Sequence, residues 1–269
     1  MDEIPRTNLR APMRLRPAVP MAVFLIAGAY VVSRLGKGPE PTASSSLDAT
    51  EQSSEAQPAQ AANADVAVTS WQRSPAATAT TAQARALLES VSKDSRFRSW
   101  LTERDLVRRW VVVTDNIAEG VSPRRALDFL APHTPFSVAR SGNGLVIAPE
   151  SYGRYDELVD TVRSVDATEL AKAYRRLHPV LEAASRLLGY PAGSLDRATF
   201  AALRRIERAP APETAAYVTD LGGAYAFEDP QLERLPDLEK QLLRMGPRNE
   251  HVLQAKAQEI LGVLDPPSD

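Results

Sequence analysis

The stretch Ala167 to Leu188, ATELAKAYRRLHPVLEAASRLL, decides the fold class. Leu170, Ala173, Leu177, Leu181, Ala184 and Leu188 recur at helical spacing and draw one apolar stripe along a long helix. Pro179 interrupts that stripe, so a kink or break is expected near His178. Gly189-Tyr190-Pro191 closes the segment. Upstream, a second strong helix is expected from Glu103 to Glu119, where Leu106, Trp110, Val113 and Ile117 share a face. Residues 83 to 91 and 95 to 101 read as shorter helices before it. Gly120 ends it, and Ser122-Pro123 supplies an N-cap and first helical residue for a further helix to about Leu130. Downstream, helices are expected at Glu150 to Val165 and Ser194 to Arg208, then at 230 to 235, 236 to 245 and 247 to 264. In the last of these Leu253, Ala257, Ile260 and Leu264 face one way.

Two places break the helical rhythm. Phe136 to Arg140 and Leu145 to Ala148 flank Ser-Gly-Asn-Gly, a hairpin signal. That hairpin should be the largest β element and needs a helical surface to pack on. After the Pro-rich connector Ala209 to Glu213, Tyr217 to Thr219 and Ala224 to Phe227 form a possible short strand pair. There is no internal repeat. The fold class is mainly α: one multi-helix globular domain over residues 83 to 265 with a small β-hairpin, preceded by a transmembrane helix and a disordered linker.

The N-terminal part sets location. An Arg-rich head, residues 1 to 17, leads into the uncharged run from Pro17 to Ser33, and the membrane anchor is assigned to residues 18 to 35. Ala18 to Val32 spans only about 22 Å as helix against a hydrocarbon layer of about 30 Å. Counted from Leu15 to Leu35 it reaches about 31 Å, with Arg16 and Arg34 snorkelling to the headgroups. A cleaved signal peptide ending near Ala27-Gly28-Ala29 is the rival reading, but apolar character continues through Tyr30-Val31-Val32 and no polar c-region follows. Arg6, Arg10, Arg14 and Arg16 precede the run while only Arg34 and Lys37 follow closely, which places the N-terminus in the cytoplasm. The domain is then expected across the membrane, which in a bacterium means the periplasm. Residues 36 to 82, rich in Ala, Ser, Thr, Pro and Gln, bury too little to offset ordering entropy and read as a disordered linker. Its reach is about 35 to 40 Å. Trp71 within it is a possible docking residue or an incidental aromatic.

Residues 83 to 269 carry 25 basic and 27 acidic groups, without the basic excess of a nucleic-acid binder. The chain has no cysteine, which excludes disulfides, thiol catalysis and Cys-based zinc sites.

Four runs carry a resemblance: DNIAEGVSP at 115 to 123, YGRYDELVD at 152 to 160, YRRLHPVLEAASRLLGYP at 174 to 191 and QLLRMGPRNEHVLQAK at 241 to 256. Together they resemble a bacterial family catalogued as domain of unknown function 3014, over roughly residues 83 to 264. Leu-Leu-Arg-Met-Gly-Pro-Arg-Asn is the most specific part. The resemblance implies fold and a membrane-anchored location, and no reaction.

Chemistry has to be sought residue by residue. There is no nucleophile elbow, no His-Glu-x-x-His, no phosphate-cradling loop and no dinucleotide fingerprint. His133, His178 and His251 are too sparse for a metal site, and no cofactor is expected. The strongest candidate is the segment from Lys240 to Lys256. Lys240 and Arg244 sit at a helix end, Gly246 permits a sharp turn, Pro247 starts the next helix, and Arg248 and Asn249 follow. Such a corner can aim two guanidinium groups and free N–H groups at one anion. Its structural alternative is a helix corner whose arginines pair with Glu239 and Glu250.

A second candidate is Tyr152, Arg154, Tyr155 and Asp156, suited to sugar or peptide recognition, with Tyr155 as a core residue in the alternative. Asp115-Asn116 reads as a solvent face or a buried polar pair, and Arg175-Arg176 and Arg204-Arg205 as exposed helix charges. Two functions are compatible with this. One is a periplasmic binding or scaffolding module tethered to the inner membrane, with an envelope protein or cell-wall component as partner. The other is an enzyme on an envelope substrate, using Asp115 or Asp156 with nearby arginines.

Overall fold

The computed structural model describes residues 75–212 and 216–266. The basic head, the anchor at 18–35, most of the linker and Trp71 lie outside the described residues. Among the described residues no helix is long and apolar enough to cross a membrane.

Among the described residues ten α-helices and four strands follow in order: α1 Pro75–Leu88, α2 Ser95–Trp100, α3 Leu106–Ala118, β1 Val138–Ser141, β2 Gly144–Ile147, α4 Pro149–Gly153, α5 Asp156–Arg163, α6 Ala167–Leu187, α7 Ser194–Glu207, β3 Tyr217–Asp220, β4 Tyr225–Phe227, α8 Pro230–Glu233, α9 Asp237–Met245 and α10 Pro247–Leu261. The helical body is built on α7, which packs against both α3 and α10, with α6 against α3 and α1. The apolar stripes meet there: Trp110, Ile117, Leu177, Leu181, Leu203, Ile206, Leu253 and Ile260 are all buried in one cluster. Burial of such side chains contributes about 1.5–3 kcal/mol each.

Helix starts are marked by aspartates. Asp94 accepts from the Arg96 and Phe97 N–H groups at the start of α2, and Asp166 from Glu169 N–H at the start of α6. Of the kink or break expected near His178, the break does not occur: α6 runs as one helix through Pro179. Leu177 and Leu181, both fully buried, hold it on either side of the proline. α1 begins at Pro75, inside the stretch assigned to the disordered linker. Proline suits a first helical turn, alanine favours helix, and the buried Ala84 and Leu88 fasten its far end.

Two further expectations are corrected. Ser122-Pro123 opens only short 3₁₀ turns at Pro123–Arg125 and Asp128–Leu130, because the Ser122 hydroxyl donates to Gln241 Oε1 at 2.7 Å instead of capping a helix. The helix expected over 150–165 is divided into α4 and α5. Ser151, fully buried in α4, accepts from Ser137 N–H at 2.7 Å and donates to Ser137 C=O at 2.8 Å, which fastens α4 to the entry of β1.

The hairpin forms with Ser141 opposite Gly144, yet it is half of a larger element. β2 pairs with β3 through Leu145–Val218 and Val146–Tyr217, giving an antiparallel sheet in the order β1-β2-β3-β4. Ile147, Val218, Phe227 and Leu243 form its own small core, so the sheet docks on α9.

Candidate functional site

The two sequence candidates converge at one junction, where the α4–α5 turn meets the α9–α10 corner. Gly246 has φ 86°, a left-handed backbone that glycine tolerates. Its open side is filled: a Cβ there would lie 2.6 Å from Tyr152 Cγ. Asn249, almost fully buried, places Nδ2 within 2.9 Å of Asp156 Oδ1 and 3.1 Å of both the Tyr152 and Met245 carbonyls. Arg248 pairs with Asp156 at 3.2 Å and Asp160 at 3.3 Å.

Arg244 takes a different direction. Its guanidinium stacks 4.7 Å above the Phe227 ring and donates to the Tyr225 carbonyl at 3.1 Å and the Lys240 carbonyl at 3.2 Å. Burial pulls its pKa below the ordinary value against the attraction of Glu233. Lys240 reaches Glu233 at 3.3 Å, and Glu233 in turn accepts the Phe227 N–H at 2.8 Å. Burial alone would raise the Glu233 carboxyl, but the Phe227 N–H, Lys240 and Arg244 outweigh it and hold it low. Lys240 and Arg244 therefore tie α9 to the edge strand β4, while Arg248 ties α10 to α5. They engage separate partners instead of aiming at one anion.

The expected pairing with local acids is also different. Glu239 holds Arg205, and the Glu250 carboxyl is buried beside Tyr152, Pro212, Ala216, Leu243 and Pro247 in a cavity of about 10 Å³, with no partner for Oε1. Burial pushes its pKa up to about 8.

The rest of the second candidate is likewise engaged. The Arg154 guanidinium lies 5.4 Å from the Phe136 ring centroid and 5.2 Å from that of Tyr155, and donates to the Thr134 carbonyl at 3.1 Å. Tyr155 is fully buried, and burial raises its pKa against the pull of Arg154 and Arg244. Asp115 and Asn116 are half-buried, neither a solvent face nor a fully buried pair. Asp115 accepts from Tyr190 OH at 2.9 Å, and burial raises its pKa against that hydrogen bond. His178 bonds Asp196 at 3.0 Å, and the Tyr174 hydroxyl donates to the other oxygen of Asp196 at 2.5 Å. These residues border a shallow cleft closed on one side by Leu264 and Asp265. His133 and His251 are exposed, and no metal-ligating cluster occurs among the described residues.

The arrangement missed by sequence reasoning is an open cleft of about 380 Å³ at the C-terminal end of α7. Ala118, Ala201, Ala209, Pro210 and Leu235 give it an apolar lining, and Arg204, Arg205, Arg208 and Glu239 its charged groups. Arg205 is not an exposed helix charge as expected. Its Nε donates to Glu239 Oε1 at 2.7 Å and its Nη1 to the Ala118 carbonyl at 2.7 Å. Gly120 makes room for it, since a Cβ there would fall 2.4 Å from Nη2. Arg204 and Arg208 are exposed, one turn apart, and have no ion pair or side-chain hydrogen bond among the described residues. The signal was present in the sequence as Arg204, Arg205 and Arg208, but only the fold shows that Arg205 turns inward.

The family described as Protein of unknown function (DUF3014) matches residues 106–261, from the start of α3 to the end of α10. The chain belongs to this DUF3014 family. The matched region includes the junction, the sheet and the Arg205–Glu239 pair, whereas α1 and α2 precede it. No curated protein and no solved structure matches the chain.

Proposed function

We propose that this DUF3014 chain is a tethered binding module of the bacterial cell envelope. Residues 18–35 anchor it in the inner membrane, the linker lets it search near that membrane, and the helical domain meets its partner in the periplasm. The observation that carries this reading is the α7 cleft, where Arg204 and Arg208 stand free beside an apolar lining while Arg205 is fixed by Glu239. Clefts of about 300–1,000 Å³ with a few fixed polar groups suit ligand recognition. In this account the α9–α10 corner is the frame: its cations and Asn249 are spent on ties to α5, α4 and β4.

The test is a photoreactive residue placed at position 201, in the cleft, in the full chain in intact cells. A discrete adduct is expected from position 201 and none from position 172, which lies outside the cleft. An absence of any adduct from position 201 contradicts the reading. The alternative is an envelope enzyme, and its support is the raised carboxyl of Asp115 held by Tyr190. It requires Asp115→Asn to abolish turnover of an envelope substrate without changing thermal stability.

A further inference from the structure

We propose that the α7 cleft receives an acidic peptide segment of a protein partner, presenting two carboxylates about one helical turn apart; this rests on the binding-module reading above. Arg204 and Arg208 occupy positions i and i+4 of one helical face, and side chains so spaced are neighbours with Cβ atoms about 5–6 Å apart. Each carries a planar fork of donors suited to one carboxylate. The third arginine is already satisfied. Glu239 supplies its carboxylate from the first turn of α9, so Arg205 is held by the protein's own acid. What remains is a pair of separate cationic forks.

The apolar lining of the same cleft completes the match. Ala118, Ala201 and Ala209 are small, and Pro210 and Leu235 add apolar surface, so a short uncharged side chain between two acids can lie against the helix. An uncharged ligand would leave both forks unused. Inorganic phosphate would leave the apolar lining unused. An acidic peptide engages both, and because the arginines are exposed, its affinity should fall as salt rises.

The test is selection of a random peptide library on the purified full chain in a non-ionic detergent. It is followed by fluorescence anisotropy of an enriched peptide with wild type and with the Arg204→Glu/Arg208→Glu variant. Both positions are exposed, and a matching thermal midpoint checks that the variant is folded. The expected result is enrichment of Asp or Glu pairs three or four residues apart, with at least about tenfold weaker binding to the reversed variant and to a peptide with Gln for Glu. No enrichment, enrichment without acidic pairs, or equal binding to the folded variant overturns the proposal. Displacement of the peptide by an equal concentration of inorganic phosphate overturns it as well, because the site would then read a point anion. If the peptides fail while the adduct from position 201 forms, the binding-module reading stands and only the ligand class is wrong; if both fail, both readings fall.

Discussion

The side-chain amide of Asn249 lies 2.9 Å from the carboxylate of Asp156, so two segments 93 residues apart form a single junction. Its energy is unevenly distributed. Asn249 is buried and serves three acceptors, whereas Arg248 is half exposed in its pairs with Asp156 and Asp160. Asn249→Ala should cost about 1–3 kcal/mol by removing three hydrogen bonds of a buried amide, although the Tyr152 carbonyl keeps the Tyr155 N–H, and Arg248→Ala about 1 kcal/mol or less. Gly246→Val should cost more than either, because it adds a strained φ to a clash with Tyr152. Urea unfolding of the three variants checks the order; an Arg248→Ala loss as large as that of Gly246→Val would make the arginine the principal tie.

Arg205 and Glu239 should couple strongly. Glu239 is 7% exposed, so removing Arg205 leaves a buried acid without its cation. Arg205→Ala should cost about 3–5 kcal/mol, and the double variant with Glu239→Leu should recover part of that loss. A double-mutant cycle in urea measures the coupling. Strict additivity would show that the pair does not join α7 to α9.

The helical body was legible in the sequence because its stripes are local. Leu106, Trp110, Val113 and Ile117 identify their buried face by spacing alone, as do Leu177 and Leu181. The Gly246 turn was legible because few residues other than glycine accept its backbone. The pairing of Leu145 with Val218 was not, since nothing local records a partner so far along the chain. The division between α4 and α5 depends on Ser151 reaching Ser137, again a tertiary contact. Of the site, Arg204-Arg205 had the look of a solvated face. Only the close approach of Gly120 and Glu239 turns Arg205 inward while Arg204 and Arg208 stay out.

Glu250 should make stability fall with rising pH. Its folded pKa is raised from an ordinary 4.5 to about 8, so the favourable protonated state is fully present below about pH 4.5 and is lost as pH climbs to about 8. Through that window wild type should lose up to about 1.4 kcal/mol per pH unit relative to Glu250→Gln, which cannot ionise. Urea unfolding of both proteins at pH 5, 6.5 and about 8.5 measures the gap. A gap that does not change with pH contradicts the buried, proton-holding carboxyl.

The proposed topology has its own readout. Alkaline phosphatase fused after Asp269 should be active, and a fluorescent protein that matures only in the cytoplasm should stay dark at the same position. The opposite pair of results would place the domain on the cytoplasmic side.

On the proposed reading, recognition resides in the α7 cleft and the α9–α10 corner is framework. Adduct yield from position 201 in intact cells, compared between wild type, Arg204→Glu/Arg208→Glu and Arg248→Ala, each with its thermal midpoint, tests it most directly. The reversed pair should lose the adduct at an unchanged midpoint while Arg248→Ala retains it. Full yield in the reversed pair, or loss in Arg248→Ala at an unchanged midpoint, would contradict it.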